Sequence, residues 1–113
     1  MLQNARRRRE AVVTTNYVLA ELTALLMSPF RVSHPQRVEY LDTIRNAPWV
    51  EVVHVGRDLD RLSWAFLARH RDKDFSLVDC SSFVVMRDSN ISSALTMDHH
   101  FEQAGFNRLL RTE

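Results

Sequence analysis

Short β-branched runs alternate along this chain with longer segments in which apolar residues recur every three or four positions, the pattern of strands interleaved with helices. The first run, AVVT at 11–14, predicts a strand and leads straight into residues suited to capping a helix. From residue 17 the positions Val18, Leu22, Leu25 and Leu26, joined by Ala20 and Ala24, keep a helical period that Pro29 ends. A second helix is expected over 35–45, because proline is tolerated at the first helical position and Val38, Leu41 and Ile44 follow at spacing of three. Residues 49–55 alternate around Glu51 and predict a strand with Gly56 as its exit. A third helix over 58–70 places Leu59, Leu62, Phe66 and Leu67 on one stripe, and the polar turn RDKD comes next.

The start of a fourth helix is written into its local chemistry. SLVD has the form of a capping box, with Ser76 as the cap and Asp79 at the third helical position, and Phe83, Val84 and Met86 supply an apolar face. Residues 91–97 predict a strand running into Asp98. HHFEQAG predicts a short helix closed by Gly105, and 106–110 a short edge strand. Helices alternating with short apolar strands define an α/β layer fold with a mostly parallel sheet. Ligands collect outside the carboxyl ends of the strands in such sheets, and Asp98 lies at one such end.

Composition narrows the class. At 113 residues, with 45% hydrophobic and 26% charged, the chain has the size of a single domain, 1–113, with a modest core. Only two glycines and three prolines argue against a disordered or fibrous chain. The formal charge is +1, so a basic surface must come from local clustering, and Arg6, Arg7, Arg8 and Arg9 form the obvious cluster. That run suits phosphate contacts, although a solvated helix end or tail is the commoner explanation for such a run. The single Cys80 excludes an intrachain disulfide and fits a reducing compartment. No apolar run approaches the length of a membrane span, and MLQNARRRRE leads into a mixed amphipathic segment instead of a signal-peptide stretch, so the expected location is cytoplasmic with no membrane partner.

Three carboxylates carry the candidate chemistry. Glu21 is the only charge in 17–26, Asp79 stands in the first turn of its helix and Asp98 follows a strand. Each also has a local reading, as a surface glutamate, a capping-box acid and a helix cap respectively. Together at one rim they would repel one another unless a cation compensates, and an all-oxygen donor set suits Mg²⁺ or Mn²⁺. Such an ion can activate water and neutralise charge developing on a phosphodiester, so nucleic-acid hydrolysis is a sensible use. Asn16 is read as a helix cap or as a hydrogen-bond partner of a ligated water. Ser76 is read as the cap that also orients Asp79.

Other candidates have simpler roles. His99 and His100 are adjacent, and neighbouring helical residues point about 100° apart, so a shared metal is not expected and a capping or surface role is. His34, His54 and His70 form no arrangement of nucleophile, base and orienting group. Cys80 is read as an inert buried thiol. Trp49 and Trp64 are read as packing residues, with Trp64 a partner-surface residue if exposed.

With these pieces in place, the chain resembles the PIN-domain family, especially the VapC-like ribonucleases of bacterial toxin–antitoxin pairs. The resemblance is carried by TTNYVLAEL with Glu21, DKDFSLVDCSSFVVM with Ser76 and Asp79, and ALTMDHHFEQAGFNRL with Asp98. It implies a three-layer α/β/α sandwich around a parallel sheet. It also implies an endoribonuclease using Mg²⁺ or Mn²⁺ held by Glu21, Asp79 and Asp98, with Asn16 and Ser76 in support. RNA, an antitoxin protein and a second copy of the chain are the implied partners, with Arg6, Arg7, Arg8 and Arg9 as RNA-contact candidates.

One part of the family pattern is not matched. The family places a first strand ending in an aspartate, then a helix, before the segment equivalent to VVTT, whereas here MLQNARRRRE precedes it and resembles the end of that helix. The expectation is a PIN-like domain incomplete at its N-terminus, whose exposed strand edges need a partner such as a strand-donating protomer. The alternative function is a catalytically impaired PIN remnant that binds an antitoxin or RNA.

Overall fold

The computed structural model describes residues 12–94, 96 and 98–109, which fall into two compact units divided between His54 and Val55. Arg6, Arg7, Arg8 and Arg9 lie outside the described residues.

In the first unit, strand β1 (Val12–Thr15) passes without a loop into helix α1 (Asn16–Met27), and helix α2 (His34–Asn46) returns the chain to strand β2 (Val50–Val53). β1 and β2 pair in parallel, from Val12 opposite Val50 to Thr15 opposite Val53. The strand-to-helix switch is made by Thr15. Its backbone is extended while its hydroxyl accepts a bond from the Val18 amide at 3.1 Å, satisfying a donor that the helix leaves unpaired. Asn16 is therefore the first helical residue and not the cap. Between the helices, the amides of Phe30 and Val32 donate to the carbonyls of Leu25 and Leu26, and the Arg37 guanidinium donates to the Val32 carbonyl at 2.6 Å.

Only Thr15 and Leu19 are buried among the described residues up to His54. Leu25, which the helical period assigns to the apolar stripe, is exposed, as are Met27, Phe30, Val38 and Tyr40. The physical reason is that α1 is apolar almost all round, so the period does not single out one face.

The second unit holds the core. Helix α3 (Arg57–Arg69) begins after Gly56, with Asp58 and Asp60 in its first turn and Arg69 in its last, the arrangement that complements the helix dipole. Helix α4 (Leu77–Asp88) packs against α3. Their shared interior is aromatic: Phe66, Phe75, Cys80 and Phe83 are buried, and Phe101 and Phe106 pack on them from the C-terminal segment. Phe83 meets Phe75 edge-on with centroids 5.0 Å apart and Phe101 edge-on at 4.9 Å, the geometry that places a ring's positive edge on its neighbour's negative face. His70 stacks on Phe66 at 4.2 Å. Leu62, expected on the buried stripe of α3, is 53% exposed, and Trp64 is exposed too, which favours the surface reading of Trp64 over packing.

Beyond α4 the chain forms strand β3 (Ser93–Ala94), helix α5 (His100–Gln103) and strand β4 (Asn107–Arg108). β3 and β4 pair in parallel, held by bonds from the Asn107 amide to the Ser92 carbonyl and from the Leu109 amide to the Ala94 carbonyl. Described strand structure covers less of this segment than the runs 91–97 and 106–110 predict, and Leu95, Met97 and Leu110 lie outside the described residues. Gly105 ends α5 at a φ of 95°, a left-handed conformation that a side chain would strain. Both strand pairs are parallel, as the alternation of helices and strands predicts.

Candidate functional site

The site assembles at the N-terminus of α4. Ser76 and Asp79 form a complete capping box: the Ser76 hydroxyl accepts from the Asp79 amide at 3.0 Å, and the Ser76 amide donates to Asp79 Oδ2 at 3.1 Å. A cap of this kind stabilises a helix by about 1 kcal/mol. It also fixes the direction of the carboxylate, which is 15% exposed. Local stability and site geometry thus come from the same four residues.

Asp98 reaches the same place from the other end of the unit. Its amide donates to the Thr96 hydroxyl at 3.0 Å, and its Oδ1 accepts from the His100 amide at 2.9 Å. That second bond is the local turn that Asp makes with a backbone donor two residues on, so the acid caps the entry into α5 while its carboxylate stays part-exposed. The aromatic cluster seats this segment, because Phe101 rests on Phe83 of α4.

The group between the two acids is His100. Its Nδ1 lies 3.1 Å from Asp98 Oδ1 and 3.4 Å from Asp79 Oδ2, and its ring meets Phe75 edge-on at 5.7 Å. Nδ1 is sealed from solvent and makes no aligned hydrogen bond. Ligand atoms of Asp98, His99 and His100 lie within 4.8 Å of one another, a spacing compatible with one metal ion. The helical-rotation argument against a shared ion therefore does not hold. His99 precedes α5, and the side chain of Asp98 folds back to both rings.

The structure thus brings together Asp79, Asp98 and Ser76. Glu21 is exposed on α1, and Asn16 is at the start of that helix, both in the first unit. Cys80, next to Asp79, points into the core and is fully buried. Burial pushes its thiol pKa up, and the neighbouring Asp79 carboxylate adds to the shift. A thiol so placed is inert, as expected. The residue that sequence reasoning missed is His100. Its signal is the D-x-H spacing in MDHHF, which puts an imidazole on the amide that the aspartate caps.

Carboxylate oxygens with a sealed imidazole nitrogen between them suit a divalent cation, since a buried nitrogen without an aligned partner is a group that a ligand would satisfy.

A family model for the PIN domain matches residues 2–107, and the chain belongs to the PIN-domain family. Its α/β fold class, with parallel strand pairs, is that of the PIN family. The chain is 40% identical over 95 residues to the 23S rRNA-specific endonuclease VapC20 of Mycobacterium tuberculosis, in strains CDC 1551 and H37Rv alike, covering 84% of this chain and 70% of the relative. It also superposes on the crystal structure of Mycobacterium tuberculosis VapC20, described as a sarcin–ricin loop cleaving toxin. That match has a TM-score of 0.76 at 40% identity and spans 85% of this chain and 72% of the other.

Proposed function

We propose that the chain is a metal-dependent endoribonuclease of the VapC-like toxin class, cutting a phosphodiester bond in structured RNA. The observation that carries this reading is the convergence of Asp79 and Asp98 on one buried nitrogen. Likeness to a 23S rRNA-specific endonuclease over most of the chain supports it and makes a ribosomal stem-loop the first substrate to test. An antitoxin protein is the proposed partner.

In this reading Asp79 and Asp98 would hold Mg²⁺ or Mn²⁺. A cation held there would supply polarisation of the phosphodiester and acidification of a water. The remaining work belongs to the protein. The Ser76 amide donates to the Asp79 carboxylate while the Ser76 hydroxyl accepts from the Asp79 amide, and the His100 amide donates to the Asp98 carboxylate. The aromatic core gives both acids a rigid base, so that little reorganisation is needed when the reacting groups arrive.

The test is cleavage of a 23S rRNA stem-loop by purified protein with Mn²⁺, wild type against Asp79→Asn at matched folding. Cleavage that falls by about a hundredfold or more in the variant supports the proposal. Equal cleavage by both would assign the activity to a contaminating nuclease. No cleavage by either, with RNA or antitoxin still bound, would favour a catalytically impaired binding protein.

A further inference from the structure

We infer that His100 is a nitrogen ligand of the cation site, so that Asp79, Asp98 and His100 form a mixed oxygen and nitrogen site that takes Mn²⁺ in preference to Mg²⁺. The inference rests on the metal-dependent reading above and deepens it by naming a donor and a cation selectivity.

The geometry points to the ring nitrogen itself. His100 Nδ1 is excluded from solvent and has no aligned hydrogen bond, yet it stands 3.1 Å from one carboxylate oxygen and 3.4 Å from another. Neighbouring donors in an octahedral shell with bonds of about 2.1 Å are about 3 Å apart, so the 3.1 Å between His100 and Asp98 suits a shared ion, and Asp79, at 3.4 Å from the same nitrogen, faces it from α4. The ring is also held in place. Its own backbone amide bonds to Asp98 Oδ1, and Phe75 lies edge-on against it at 85°. Ser76 holds the facing Asp79 oxygen. Side-chain donors fixed before binding lower the cost of collecting them around an ion.

His99 lacks these features. Its side chain is 65% exposed, and its Nδ1 is 3.8 Å from Asp98. Its ligand atom lies within 4.8 Å of those of Asp98 and His100, but its exposure makes it the weaker candidate, and it is left out of the ligand set.

The donor set has a chemical consequence. Mg²⁺ favours oxygen ligands in near-ideal octahedral geometry and gives up its waters reluctantly, whereas an imidazole donor moves preference toward first-row transition ions. A site of carboxylates alone lacks that bias.

The experiment is calorimetric titration of the full chain with MnCl₂ and with MgCl₂, for wild type, His100→Ala, His100→Gln and His99→Ala. It is paired with electron spin-echo spectroscopy of the bound Mn²⁺, which detects a directly coordinated nitrogen in the unaltered protein. Wild type is expected to bind Mn²⁺ about tenfold or more tightly than Mg²⁺. Both His100 variants are expected to lose about tenfold in Mn²⁺ affinity with little change for Mg²⁺, while His99→Ala keeps the wild-type ratio. Nitrogen modulation should be present in wild type and absent from the His100 variants. Bound Mn²⁺ without nitrogen modulation, an unchanged Mn²⁺ to Mg²⁺ ratio in folded His100→Gln, or no Mn²⁺ binding by wild type would each overturn the assignment. RNA cleavage is scored separately. A nitrogen-ligated Mn²⁺ without cleavage sinks the ribonuclease reading and leaves the ligand assignment, and cleavage with an all-oxygen ion does the reverse.

Discussion

The two units are built from similar elements and differ in what they bury. Residues 12–54 form a parallel strand pair and two helices with Leu19 as the one described apolar side chain removed from solvent, and they leave Leu25, Met27, Phe30, Val38 and Tyr40 exposed. From Val55 onward the chain buries Phe66, Phe75, Cys80, Phe83, Val85 and Met86. The second unit has rings to interlock, and the first has mostly aliphatic residues spread around helix α1. The converging acids are found on the interlocked unit. A carboxylate pair held around one side chain needs a support whose own side chains are packed, and the edge-on aromatic contacts provide it.

The contrast is most readily broken at Phe83. Phe83→Ala is expected to destabilise the protein by about 3–5 kcal/mol, because a cavity opens where Phe75, Phe101 and Phe106 meet. Leu25→Ala in the first unit should change stability by no more than about 0.5 kcal/mol. Denaturant melts of the two variants measure this, and a large loss at Leu25 would show that its exposed face is covered in solution.

Next in size is function. Asp79→Asn should lower RNA cleavage by about a hundredfold or more, whereas Glu39→Gln, an exposed acid of α2, should leave the rate unchanged. Equal losses would deny that the chemistry is concentrated around the second unit's acids. Smaller again are the caps. Ser76→Ala and Thr15→Ala each remove a hydroxyl that accepts a helix amide, and each should cost about 1 kcal/mol in thermal or denaturant melts. Only the Ser76 change should also lower Mn²⁺ affinity, since of these two caps only that of Ser76 involves a candidate ligand, Asp79.

The smallest effect concerns Cys80. Its folded-state pKa is raised, so the unfolded chain loses the thiol proton first. Stability should therefore fall as pH climbs past the ordinary value of 9.0 and level off above the raised one. The difference between wild type and Cys80→Ala across an alkaline denaturation series isolates this contribution. A flat difference would mean that the thiol is not buried in solution.

Some of this was readable without coordinates because it depends on neighbours in sequence. The capping box at Ser76 and Asp79 is an exchange of bonds across three residues, and SLVD suffices to write it. The family resemblance carried by Glu21, Asp79 and Asp98 rests likewise on short motifs. The cap of α1 was misplaced by one residue, at Asn16 instead of Thr15, because two polar residues compete there and only the backbone angles decide between them.

What escaped the sequence is what depends on distant partners. Nothing in NYVLAELTALLM marks Leu19 as buried and Leu25 as exposed, since a helix apolar on every side takes its buried face from whatever packs against it. In sequence His100 looks like a capping or surface residue beside His99, because spacing along a helix describes directions and not the approach of other elements. Only the tertiary structure brings Asp79, about twenty residues earlier, to the imidazole beside Asp98, and it does so through the packing of phenylalanines on α4. Sequence alone determined the types of element, the local caps and the acids worth watching. Packing decided which of them meet, because contact between distant residues is settled by the shape of the core and not by any local preference.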